Sequence, residues 1–137
     1  MRLLTLRLLV LSLPLLMGCE AEIDNLPTTP DPVIVTETFS GTINVNGAAT
    51  HNVFNNATGT IVATLTSLGE NPPAKIGFSM GTLSGSTCQL VLTNDNAVTT
   101  SVLTGTVSTL AGSLCVRVYD VGALTEPVSY TFTVSHP

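Results

Sequence analysis

The chain has no tryptophan, and two tyrosines with four phenylalanines make aromatics only 4% of its 137 residues. The aromatic platforms that extracellular sandwiches commonly use for sugars are therefore scarce. Charge is sparse as well, at four Lys or Arg and nine Asp or Glu. Two of the basic residues, Arg2 and Arg7, stand near the start. Beyond residue 18 only Lys75 and Arg117 face nine acids, which leaves that part at −7. So acidic a chain repels phosphate backbones, which excludes nucleic acid as a partner. Anionic membrane surfaces do not attract it either, and a lipid would have to hold it there. No G-x-S-x-G elbow, C-x-x-C pair or full calcium-loop spacing occurs. There is also no apolar run of the roughly 20 residues that a transmembrane helix needs.

What is present begins with a leader. Met1, Arg2 and Arg7 precede the apolar segment Leu8 to Leu16, which ends in Leu16-Met17-Gly18-Cys19. A basic start, an apolar segment of about ten residues and a small residue before the cut match a secretory signal. The four-residue box resembles that of bacterial lipoproteins. The resemblance covers residues 1–19 and implies cleavage before Cys19 and a diacylglyceryl thioether, with palmitate among its acyl chains, on its thiol. Residues 1–18 are then a signal peptide. The competing reading is an ordinary secretory leader with an incidental cysteine. In some bacteria an aspartate after the lipidated cysteine retains the protein in the inner membrane; Glu20 stands here, so the expectation is the outer membrane.

Lipidation of Cys19 leaves Cys88 and Cys115, an even pair 27 positions apart. An exported compartment is oxidising, so the two are expected to form a disulfide rather than two buried thiols. Residues 19–32 form an acidic tether with Pro27, Pro30 and Pro32. Proline at that density blocks helix and central strand. Extended at about 3.1 Å per residue, the tether spans roughly 30–40 Å.

From Val33 to Pro137 short strands alternate with Gly, Asn, Asp and Pro. Few long charged side chains and many Thr, Val, Ile and Leu suit β-structure. The first strand is expected over Val33 to Val45, with Val33, Val35, Phe39, Ile43 and Val45 on one face and a bulge at Gly41. Asn46-Gly47 is the signature of a tight hairpin, so the strand Thr50 to Phe54 should return beside the first. Ile61, Ala63 and Leu65 alternate with threonines. Ile76, Phe78 and Met80 form the next inward face, and Gly81 to Thr87 are expected to turn the chain. Cys88, Leu90 and Leu92 follow, ended by a turn at Asn94-Asp95-Asn96. Strands at Ser101 to Val107, around Leu114, Val116 and Val118, and over Val128 to Ser135 complete about eight. Turn signals every 8–15 residues indicate an antiparallel β-sandwich or jelly roll rather than βαβ units.

The spacing of Phe39-Ser40-Gly41-Thr42-Ile43, His51-Asn52-Val53-Phe54, Gly59 to Leu65, Cys115-Val116-Arg117-Val118-Tyr119-Asp120 and Tyr130-Thr131-Phe132-Thr133-Val134 resembles bacterial pre-peptidase C-terminal domains. The resemblance covers about residues 36–135 and implies a β-sandwich module of the kind appended to secreted peptidases. It carries no catalytic residues, and no peptidase domain accompanies it here.

Candidate chemistry is thin. His51 and His136 are the only histidines and stand 85 positions apart, without zinc spacing. Either of them beside Asp95 or Asp120 is the raw material of a hydrolase, but Ser, His and Asp without a motif occur in most chains. Asp95, Asp120 and Glu126 are loop oxygen donors of the kind calcium takes, although Asn94-Asp95-Asn96 is also an ordinary turn sequence. Tyr119, beside Arg117, is the candidate exposed aromatic for a ligand; the alternative is a cross-strand packing residue with a polar tip. The expectation is a non-enzymatic, lipid-anchored envelope sandwich without a cofactor, binding an envelope protein or a glycan or serving a structural role. A calcium-stabilised adhesion or carbohydrate-binding module is the second reading, and an unrecognised hydrolase the third.

Overall fold

Strand side chains alternate, so a run such as Ile61, Ala63 and Leu65 among threonines commits one face to the interior. The computed structural model describes residues 30–109 and 112–137. The leader, the Leu16–Cys19 box and the tether up to residue 29 lie outside the described residues. Eight strands follow: β1 Val35–Ile43, β2 Ala48–Asn55, β3 Gly59–Ser67, β4 Ile76–Ser84, β5 Thr87–Ala97, β6 Val102–Val107, β7 Gly112–Tyr119 and β8 Val128–His136. They form two four-stranded sheets, ordered β1-β8-β3-β6 and β2-β7-β4-β5. Every pairing is antiparallel. Apart from β4 and β5, successive strands change sheet. This is the winding of an eight-stranded jelly roll, and the all-β sandwich expected from turn spacing is what the chain forms.

The core lies between the sheets. Ile61, Ala63 and Leu65 of β3, Ile76, Phe78 and Met80 of β4, Leu114, Val116 and Val118 of β7, and Tyr130, Phe132 and Val134 of β8 are all buried. One flank is closed by aromatic groups. Phe39 of β1 stacks on Phe132 at 5.1 Å, and the His51 ring from the opposite sheet packs edge-on to Phe132 at 5.2 Å. His51 Nε2 and the Tyr130 hydroxyl, 2.7 Å apart, hydrogen-bond from sheet to sheet.

Five local expectations are corrected. Asn46 does adopt a positive φ of 58°, and Gly47 N–H bonds the Asn44 carbonyl at 2.8 Å. The turn nevertheless makes no hairpin, because β1 pairs with β8 and β2 with β7. A tight turn sets a change of direction; which sheet receives the next strand depends on partners far along the chain. Gly41 is no bulge either, since the β1–β8 register runs unbroken through it. It leaves room for Tyr130, whose hydroxyl would stand 2.4 Å from a Cβ there. The strand runs from Val35 to Ile43: Val33 and Val45 lie outside it and are exposed, and Val35, its first residue, is exposed as well.

Gly81 lies within β4, which continues to Ser84; Gly85, at a φ of 62°, makes the turn. A Cβ on Gly81 would fall 1.9 Å from the Gln89 carbonyl oxygen, so glycine there permits close approach of β5. Finally, Asn94-Asp95-Asn96 belongs to β5. The register jumps from Phe78↔Asn94 to Ile76↔Ala97, a bulge in which Asn96 N–H bonds Asn94 Oδ1 at 3.0 Å. The Asx chemistry expected of a turn is present, but it shapes a bulge instead.

Candidate functional site

Because Ile76, Phe78 and Met80 point inward, the intervening β4 residues Gly77, Ser79 and Gly81 form the outward face. Two glycines and a serine offer almost no cover of their own, yet all three are buried. Neighbouring strands supply the cover. The Tyr119 ring of β7 lies over Gly77, where a Cβ would sit 2.2 Å from it. Ser79 Oγ donates to the Arg117 carbonyl at 3.5 Å. Beside Gly81, Cys115 of β7 and Cys88 of β5 are joined in a disulfide with Cα atoms 5.8 Å apart. Missing side chains on β4 thus let β5 and β7 meet across it. The expected Cys88–Cys115 disulfide is formed.

The same face gathers Tyr119, Arg117 and Asp95. The Arg117 guanidinium lies 5.5 Å from the Tyr119 ring centre, within cation–π range. The Tyr119 hydroxyl donates to Asp95 Oδ1 across β4. Burial, followed by this bond and by the Asp95 charge, pushes the phenol up to about 12, so it stays a donor through the physiological range. Tyr119 thus packs across the strands over Gly77, with its polar tip bonded to Asp95. Arg117 makes no ion pair within 4 Å among the described residues, and its guanidinium rests against the aromatic face instead. Nearby, Lys75 Nζ donates to Asn96 Oδ1 at 3.4 Å. Both basic residues beyond residue 18 thus make side-chain contacts.

The calcium candidates do not converge. Asp95 is engaged by Tyr119. Asp120 is the organiser of its own loop: Oδ1 accepts N–H bonds from Gly122, Ala123 and Leu124 at 2.8–3.1 Å, and Oδ2 accepts from Asn46 at 2.8 Å. These bonds, the one from Asn46 foremost, hold its carboxyl below the usual carboxylate range. Glu126 lies elsewhere, beside Glu70 at a shallow depression between the β3–β4 and β7–β8 loops. Among the described residues no three of His, Cys, Asp and Glu come together as metal ligands would. The histidines are separate too. His51 bonds Tyr130, and burial lowers its basicity. His136 is buried and pairs through Nε2 with Glu37 Oε1 at 2.8 Å.

Two residues escaped the sequence reading. Phe54 is 63% exposed on the outward side of β2. Its parity opposite the buried Val53 was the available signal. Asn55 is buried, with Nδ2 donating to the carbonyls of Ala57 at 3.1 Å and Thr109 at 3.4 Å. Its Oδ1 has no partner among the described residues, and nothing in the local sequence marks that.

No protein-family model matches the chain, and no curated protein matches it in sequence. Among solved structures, the crystal structure of the Yersinia pseudotuberculosis-derived mitogen (YPM) is similar, with a TM-score of 0.56. The match covers 77% of this chain and 88% of that one at 18% identity. At that identity the likeness is one of fold.

Proposed function

We propose that this chain is a lipid-anchored cell-envelope protein whose jelly roll has a non-catalytic role, binding a partner or serving an envelope assembly. The observation that carries the reading is the leader box Leu16-Met17-Gly18-Cys19, followed directly by an acidic, proline-containing stretch. Its resemblance to lipoprotein signals implies a lipid on Cys19 and, with Glu20 next, placement at the outer membrane. The disulfide fits the oxidising compartment that such a leader addresses. Residues 30–34 are exposed and precede the first strand, which suits a domain held on a tether. The ionisable groups offered as catalytic candidates serve internal bonds: His51 to Tyr130, His136 to Glu37, Asp95 to Tyr119 and Asp120 to its own loop. That engagement favours a binding role over a hydrolytic one, and the pre-peptidase resemblance agrees with it.

Labelling cells with an alkynyl palmitate tests the anchor. The protein should take up label and sediment with membranes, and Cys19→Ser should abolish both. An unlabelled protein whose distribution ignores Cys19→Ser would overturn the reading. Crosslinking in intact envelopes, followed by identification of the attached species, tests the binding role.

A further inference from the structure

The two flanks of the sandwich are filled differently. On the β1–β2 flank Phe39, His51, Tyr130 and Phe132 interlock. The β5–β6 flank receives no aromatic side chain. Inward positions there hold Leu92 on β5 and Leu103, Gly105 and Val107 on β6, and Gly105 contributes nothing beyond its backbone. In a chain with so few aromatics, one flank is sealed and the other is left open. The result is a cavity of about 430 Å³ between the sheets, floored by Ile61, Met80 and Leu114. Its size falls in the range of small-molecule sites, roughly 300–1,000 Å³. Val91 stands at its edge and is 71% exposed.

We infer that this cavity is a binding site for a neutral, predominantly apolar small molecule. Three features define the ligand class. The floor is aliphatic, so burying an apolar body there contributes about 25 cal/mol per Å² removed from water. None of the described residues lining the cavity is ionisable. A charged ligand would lose hydration without gaining a counter-charge, a cost that neutral molecules avoid. Polar character enters as hydroxyls, including those of Thr82 and Ser113, and as Asn55, whose buried Oδ1 lacks a partner. A ligand N–H or O–H would supply that missing donor. The inference deepens the binding reading and is independent of the anchor: dye uptake and palmitate labelling can fail separately.

The test uses residues 19–137 with Cys19→Ser, which contain the whole compact unit Asp31–Pro137. The probe is N-phenyl-1-naphthylamine, neutral, with one N–H, and fluorescent when removed from water. Its anilinonaphthalene sulfonate analogue has the same rings and a negative charge. The neutral dye should bind saturably at one site, and the sulfonate at least tenfold more weakly. Val107→Trp, which places an indole in the cavity, should weaken the neutral dye at least tenfold, whereas Val102→Ser should not. Should Val107→Trp fail to fold, amide shifts of the unmodified protein decide: the neutral dye should move Leu92, Gly105 and Val107 selectively. Absence of saturable binding, equal affinity for the sulfonate, or shifts centred on Phe54 or Val33 would overturn the assignment.

Discussion

Replacing both Cys88 and Cys115 with alanine perturbs one covalent link and little else, since Cys115 is fully buried in a small space and Cys88 is half-buried. The bond closes a ring of sequence separation 27. That ring holds most of β5, all of β6 and the start of β7, over which the chain leaves one sheet and returns to it. In the chain-entropy description, a ring of that length restricts the unfolded state by about 12 cal/mol/K, which corresponds to about 3.6 kcal/mol at 25 °C. Unfolding entropy near 2.1 cal/mol/K per residue gives roughly 225 cal/mol/K for the Asp31–Pro137 unit. The double variant should therefore melt about 16 °C lower. Circular dichroism gives the melting temperature, and urea titration adds a second readout. An unfolded chain freed of its crosslink exposes more surface, so the m-value should rise. A fall of less than about 5 °C with an unchanged m-value would show that the unfolded chain gains little from losing the ring, against the chain-entropy description.

The outward glycines of β4 should differ in cost. Gly77→Ala meets the movable end of the Tyr119 ring and should destabilise by about 1–2 kcal/mol, whereas Gly81→Ala meets β5 backbone and should cost about 3 kcal/mol or more by denaturant titration. Equal costs would contradict the close approach of β5. Burial lowers the folded pKa of His51 from 6.5, so between those two values the unfolded state binds more protons. Its contribution should be intact above about pH 6.5 and decline as pH falls toward the folded value, and His51→Gln should remove that decline from a plot of melting temperature against pH. For Asp120, folding lowers the pKa from 3.8. The carboxylate's stabilisation is present above that value and is lost as pH falls through the folded pKa. Asp120→Asn should thus melt below the parent at neutral pH and approach it in acid; a gap constant with pH would separate the loop from the carboxylate's charge.

The parts of the fold legible in the sequence are those governed by local alternation. Ile61, Ala63 and Leu65, or Tyr130, Phe132 and Val134, announce a buried face because every second side chain must share an environment. The pairing of Cys88 with Cys115 was legible by counting once Cys19 was set aside. Sheet membership was not, because Asn46-Gly47 supports the same local turn whether β2 joins β1 or crosses to β7. Gly81 reads as a turn residue in the sequence because close backbone approach and a reversal of direction both select glycine. At the site, Arg117 and Tyr119 share a face by their spacing of two. Asp95 joins them only through a register that spans β7, β4 and β5. The cavity was less legible still: Gly105 acquires meaning only when Met80 and Leu92 face it from the other sheet.

If Cys19 is the modified first residue of the mature protein, the intact mass of protein extracted from membranes will show it. The expected species begins at Cys19 and carries the added mass of a diacylglyceryl group, located by fragmentation to Cys19. An unmodified chain, or one that begins at any other residue, would contradict it.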